Sequence, residues 1–65
     1  MEKNYILVNA RKESGLTQSE LASLIGCKKT TVSNWENGYA KPRLSDAIKL
    51  ASILRKSVDN IFFDV

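Results

Sequence analysis

The chain has no histidine and a single cysteine, Cys27, among its 65 residues. An internal disulfide is therefore impossible, and a histidine-containing metal constellation is excluded. No apolar run approaches the ~20 residues that a membrane-spanning helix needs. The first residues, MEKNYILVNARK, lack the basic flank and apolar core of a secretory signal. A soluble, cytoplasmic chain with a reduced thiol is expected. Nothing resembles a paired acid and base, or a nucleophile with its base, so the chain is not expected to be an enzyme. No metal, cofactor, small-molecule ligand or membrane partner is expected either. With only one proline and three glycines, the chain has few helix breakers.

The residues present point to a small helical unit. Sixty-five residues allow one domain, 1–65, whose core is small and whose stability is marginal. An apolar content of 43% and a charged content of 26% suit a folded chain rather than a disordered one. The formal net charge of +3 is unevenly spread. Between Lys28 and Arg43, four cations (Lys28, Lys29, Lys41, Arg43) face one acid, Glu36. Alone, these suit a solvated loop. Centred on a helix pair, they suit an anionic polymer.

The pattern predicts five helices and no strand. The first spans about Lys3 to Ser14, with Gly15 in a left-handed cap and Leu7, Ala10 and Ser14 on one face. Tyr5, Ile6 and Val8 cannot all join that face, so one or two should be exposed or covered by another chain. The second helix opens at Thr17 with Glu20 three residues on, a capping box. Leu16 and Leu21 can staple across it. Its apolar face holds Leu21, Ala22, Leu24 and Ile25, and Gly26 ends it. The third runs from about Lys29 to Asn37, with Gly38 beyond. Val32, Trp35 and Glu36 face inward, which makes Trp35 a core residue rather than a base-stacking one. Lys29, Thr30, Ser33, Asn34 and Asn37 form an outward polar stripe. After Pro42, a fourth helix spans about Leu44 to Leu54. Leu44, Ala47, Ile48, Ala51 and Leu54 form its stripe, with Leu50 at the edge. Ser57 caps a short fifth helix carrying Val58, Ile61 and Phe62.

Two short helices joined by a tight glycine-containing turn must cross at a wide angle. The stretch 17–38 would thus leave its second helix projecting. A helix fits the DNA major groove, where each base pair shows a distinct donor and acceptor pattern. Lys29, Thr30, Ser33 and Asn34 supply matching side chains. The start of the second helix, near Gln18 and Ser19, offers backbone N–H groups to a phosphate. Lys41 and Arg43 can reach a further stretch of backbone.

The run LTQSELASLIGCKKTTVSNWENGYAKP closely resembles the helix-turn-helix of Cro/C1-type (XRE-like) prokaryotic and phage repressors. The matching elements are Leu16-Thr17-Gln18, Glu20-Leu21-Ala22, Gly26, the set Val32, Trp35, Glu36 and Gly38, and Pro42. Further matches reach back to Arg11 and forward through Ala47-Ile48-Lys49-Leu50-Ala51 to Ile61-Phe62. The resemblance implies an all-α, compact, five-helix lambda-repressor-like domain. It implies a transcriptional regulator, a repressor by expectation, that binds a near-palindromic operator in double-stranded DNA as a homodimer. Lys28, Lys29, Thr30, Ser33 and Asn34 would lie in the groove. Gln18, Asn37, Lys41 and Arg43 would lie on phosphates, with Gln18 also able to touch a base edge. Arg11 and Glu36 match a buried ion pair, and Cys27 matches a small, inward-pointing turn position. An antitoxin or adaptor on the same fold is the alternative.

The chain departs from this pattern in three places. Lys28 stands where Ser or Thr usually caps the recognition helix, so that cap should be weak unless Thr30 or Thr31 replaces it. Arg55-Lys56 replaces a glycine and an apolar residue, so the fourth helix is expected to fray or extend there. Tyr5, Ile6 and Val8 make the first helix more apolar than usual. From the residues themselves, Ile61 and Phe62 should close the core, leaving Phe63 and Val65 little to pack against. An exposed apolar end marks an association surface, so Ile61, Phe62, Phe63 and Val65 are the candidate dimer interface.

Overall fold

Local capping signals set the helix boundaries in the structure, a computed structural model that describes residues 3–62. The first helix, α1, spans Tyr5–Glu13. It starts later than Lys3 because Asn4 is its cap, accepting the Leu7 N–H at 3.0 Å through Oδ1. The second, α2, spans Gln18–Ile25. Thr17 Oγ1 accepts the Glu20 N–H at 3.0 Å, and Glu20 Oε1 accepts the Thr17 N–H at 2.9 Å. This is the reciprocal capping box read from the sequence.

Gly26 ends α2 with φ +90°. A Cβ built there would meet no atom within 4 Å. Glycine is therefore needed for its left-handed backbone, not for space. The turn leads at once into α3, Lys29–Glu36. Lys28 precedes it with extended backbone and no side-chain hydrogen bond to the helix, so neither Thr30 nor Thr31 takes over the cap. The helix stops one residue short of Asn37, which closes it as the C-cap.

The fourth helix, α4, spans Leu44–Leu54, and the short α5 spans Val58–Phe62. Ser57 Oγ accepts the Asn60 N–H at 3.0 Å at the start of α5. The α4 terminus neither frays nor extends. Arg55 turns left-handed, with φ 57° and ψ 43°, and its N–H returns to Ala51 O.

All five helices contribute to one core. Leu7 and Ala10 come from α1, Leu21, Ala22 and Ile25 from α2, and Val32 and Trp35 from α3. Ala47, Leu50 and Leu54 come from α4, and Ile61 and Phe62 from α5. Leu16, Cys27, Ile53 and Val58 pack against this cluster. Leu7, Leu21, Leu50 and Val32 are fully buried. Truncating such a leucine to alanine typically costs ~2–5 kcal/mol, a large share of a small domain's stability. Among the described residues, no buried side-chain nitrogen or oxygen lacks a hydrogen-bond partner.

Several facing assignments change. Leu24, Leu44 and Ile48 are exposed, at 59%, 68% and 54%. Leu50, read as an edge residue, lies at the centre of the inward stripe of α4. Ser14 is exposed, so only Leu7 and Ala10 bury α1. Tyr5 and Ile6 are exposed and Val8 is half-buried, which agrees with the expectation that the three cannot share one face. The cause is common to all of them. Five short helices have little interior, and each helix buries only the arc that its own neighbours cover.

Candidate nucleic-acid interface

Helices α2 and α3 pack on each other across the Gly26-Cys27-Lys28 turn, and this packing decides which side of α3 is free. Val32, Trp35 and Glu36 point inward. Lys28, Lys29, Thr30 and Asn34 are left exposed, with Ser33 and Asn37 half-buried beside them. The stripe is one helical face with a hydrogen-bonding group at each position.

Two members of the stripe are tied together. Asn37 Nδ2 donates to Ser33 Oγ at 3.2 Å, one turn apart on the same helix. Asn34 lends its backbone rather than its side chain to the fold. Its carbonyl accepts the N–H groups of Tyr39 at 2.9 Å and Ala40 at 3.4 Å, closing the end of α3.

Beyond α3, Lys41 and Arg43 are exposed on the loop that leads into α4. Together with Lys49 they line an open cleft of about 480 Å³ that also includes Thr31, Ser45 and Asp46. Three cations against one acid make this cleft electropositive. Lys49 was not singled out as functional in the sequence. No local spacing ties it to Arg43, which precedes α4 as its N-cap.

The inner end of the site is a carboxylate network. Arg11 Nε lies 2.6 Å from Glu36 Oε2, and Nη2 donates to Oε1 at 3.3 Å. Arg11 Nη1 also donates to the Leu16 carbonyl at 2.8 Å, in the loop before α2. Gln18 Nε2 donates to Glu36 Oε1 at 2.9 Å. The Gln18 side chain is thus half-turned into the protein, a bond that local pattern could not reveal. Cys27 is half-buried against the core, and burial raises its thiol pKa, with Asp46 adding to the shift. A raised pKa keeps the thiol protonated and unreactive near neutral pH.

The residues considered for a dimer interface divide. Ile61 and Phe62 are buried in their own chain's core, while Phe63 and Val65 lie outside the described residues. Beside the buried pair, an open groove of about 410 Å³ runs between α1 and α5, lined in part by Tyr5, Ile6 and Trp35. No group of acids and cysteine among the described residues is arranged to hold a metal ion. No helix among them is long and apolar enough to cross a membrane.

A family model described as helix-turn-helix matches residues 7–61. Antitoxin HipB of Escherichia coli strain K12 is 42% identical over 48 residues, covering 74% of this chain and 54% of HipB. The cryptic phage CTXphi transcriptional repressor RstR of Vibrio cholerae is 33% identical over 55 residues, covering 85% of this chain and 49% of RstR. An uncharacterised HTH-type transcriptional regulator of Methanothermobacter thermautotrophicus is 42% identical over 53 residues, covering 80% of this chain and 77% of that protein. The chain therefore spans about half the length of HipB and RstR.

Proposed function

The chain belongs to the Cro/C1-type helix-turn-helix family of DNA-binding transcriptional regulators, and from that premise we propose that it is a repressor acting as a homodimer on a near-palindromic operator. Helix α3 enters the major groove, and the two half-sites lie about one turn apart, ~34–36 Å. One observation carries this reading. The exposed face of α3 bears Lys28, Lys29, Thr30 and Asn34, while its opposite face is locked in the core. Lysine suits guanine O6/N7 and asparagine suits adenine N6/N7. Lys41, Arg43, Gln18 and Asn37 set the register on phosphates. Ser33 orients Asn37 and lies at the edge of the groove contacts.

The homodimer rests on the apolar groove beside Tyr5, Ile6 and α5 and on the apolar side chains of Phe63 and Val65. A dimer matches the two-fold symmetry of a palindromic site. No catalytic role and no small-molecule effector enter this reading, and its setting is the cytoplasm, on the nucleoid.

The likeness to a protein named as an antitoxin supports a second reading. There the exposed Tyr5, Ile6, Leu24 and Ile48 hold a partner protein, and DNA is secondary. Selection of bound sequences from random duplexes separates the two. The first reading requires enrichment of an inverted repeat, with affinity falling steeply as salt rises. Absence of any enriched sequence favours the second.

A further inference from the structure

The bond between Gln18 and Glu36 joins the first residue of α2 to the last residue of α3, so it spans the whole helix-turn-helix. Resting on the DNA-binding reading above, we propose that Glu36 is a positioning residue for DNA recognition: its buried carboxylate fixes the Gln18 carboxamide in the orientation that meets a backbone phosphate.

The chemistry is directional. A carboxylate only accepts hydrogen bonds, whereas a carboxamide has a donor side and an acceptor side. Facing Glu36, the carboxamide must present its NH₂ group, because its oxygen would be repelled. One N–H is spent on Glu36 Oε1 at 2.9 Å. The second N–H remains for a phosphate oxygen, beside the backbone N–H groups of Gln18 and Ser19. The other early donors of α2 are already used. Glu20 N–H goes to Thr17 Oγ1, and Leu21 N–H goes to Thr17 O.

Glu36 can hold this orientation because it is itself held. It is 4% exposed, and the Arg11 guanidinium grips both of its oxygens. Arg11 is fixed in turn by the Leu16 carbonyl. A glutamine side chain otherwise loses rotamer freedom when it binds, and here much of that ordering has already occurred in the free protein.

The test is a double-mutant cycle in DNA affinity, using the selected operator duplex and the full chain. Gln18→Ala is made in the unaltered chain and in an Arg11→Met/Glu36→Met background. That background removes both charges together and leaves neither buried alone. In the unaltered chain, Gln18→Ala is expected to weaken binding about three- to tenfold. In the background its effect shrinks to less than about twofold, because the carboxamide is no longer held. Arg43→Ala serves as the control and keeps its full cost in both, which a general loss of structure would not allow. An equal cost of Gln18→Ala in both backgrounds overturns the proposal.

Should the double variant not fold, the side-chain amide signals of Gln18 in the unaltered chain decide. A high order parameter for the Nε2 group and slow solvent exchange of its protons, retained on adding operator DNA, support the positioning. A low order parameter with fast exchange of both protons, the mark of a freely moving side chain, overturns it. Failure of the DNA-binding reading shows separately, as no salt-dependent affinity of the unaltered chain for any duplex, and overturns the proposal as well.

Discussion

The side-chain amide of Asn4 donates to the backbone carbonyl of Ile61 at 2.9 Å, tying the start of α1 to α5. The same residue caps α1 through Oδ1 and sends its backbone N–H to the Glu36 carbonyl at 2.8 Å. One residue thus ties three helices together, α1 and α5 through its side chain and α3 through its backbone. Asn4→Ala removes the cap and the bond to the Ile61 carbonyl, at an expected total cost of about 1–3 kcal/mol. Asn4→Asp keeps the capping oxygen but sets a carboxylate against that carbonyl, so it is also expected to destabilise. Urea denaturation of the three proteins checks both. Unchanged midpoints would mean that the Asn4 bonds contribute nothing net.

Asn4 also marks the limit of what the sequence discloses. The Thr17–Glu20 box, the Gly26 cap and the inward set Val32, Trp35 and Glu36 are legible because each depends on residues within one or two turns. The Asn4–Ile61 and Gln18–Glu36 bonds join residues 57 and 18 positions apart, so no local spacing announces them. Leu44 and Ile48 mislead for a different reason. A helical stripe is drawn from the helix alone, whereas burial depends on where neighbouring helices end. The polar stripe of α3 and the loop cations were legible because exposure and charge are the default state of such residues. Lys49 was not, because its place in the cleft follows from the packing of α4 against the loop.

Arg55 carries the one positive φ outside glycine among the described residues, at 57°. An L-residue pays about 1–2 kcal/mol for this left-handed conformation, and glycine does not. The greater freedom of glycine in the unfolded chain offsets part of the gain. Arg55→Gly is therefore expected to stabilise the domain by about 0.5–1 kcal/mol. For a domain of this size that corresponds to a melting temperature higher by roughly 2–8 °C. Arg55→Val should move it the other way, since branching at Cβ worsens the strain. Thermal melts of the two variants check the sign.

Lys28 sits at the cap of α3 without bonding the helix. Ser at this position would offer an oxygen to the Thr30 or Thr31 N–H, so Lys28→Ser is expected to stabilise the fold by about 0.5–2 kcal/mol. If Lys28 faces DNA as proposed, the same change weakens operator binding. Stability and affinity then move in opposite directions, which separates a cap effect from a contact effect. Chemical denaturation and operator titration on one preparation give both readings. A variant that is more stable and binds equally well removes Lys28 from the interface.

Asn34 and Lys41 should fail in different ways. The Asn34 side chain is exposed, and only its backbone carbonyl closes α3, so truncating the side chain leaves the fold intact. Asn34→Ala is expected to relax preference at one position of each half-site, with ~1–3 kcal/mol of discrimination lost there. Lys41 lies on the loop beyond α3, where it lines the cationic cleft. Lys41→Ala should weaken all sequences alike and reduce the salt slope of dimer binding by about 1.8, or about 0.9 for the phosphate released in each half-site. Titrating both variants against the operator and its single-base variants at several salt concentrations gives the comparison. Uniform weakening by Asn34→Ala would assign it to the backbone. A base-selective loss from Lys41→Ala would place the loop, rather than the stripe, over the base edges.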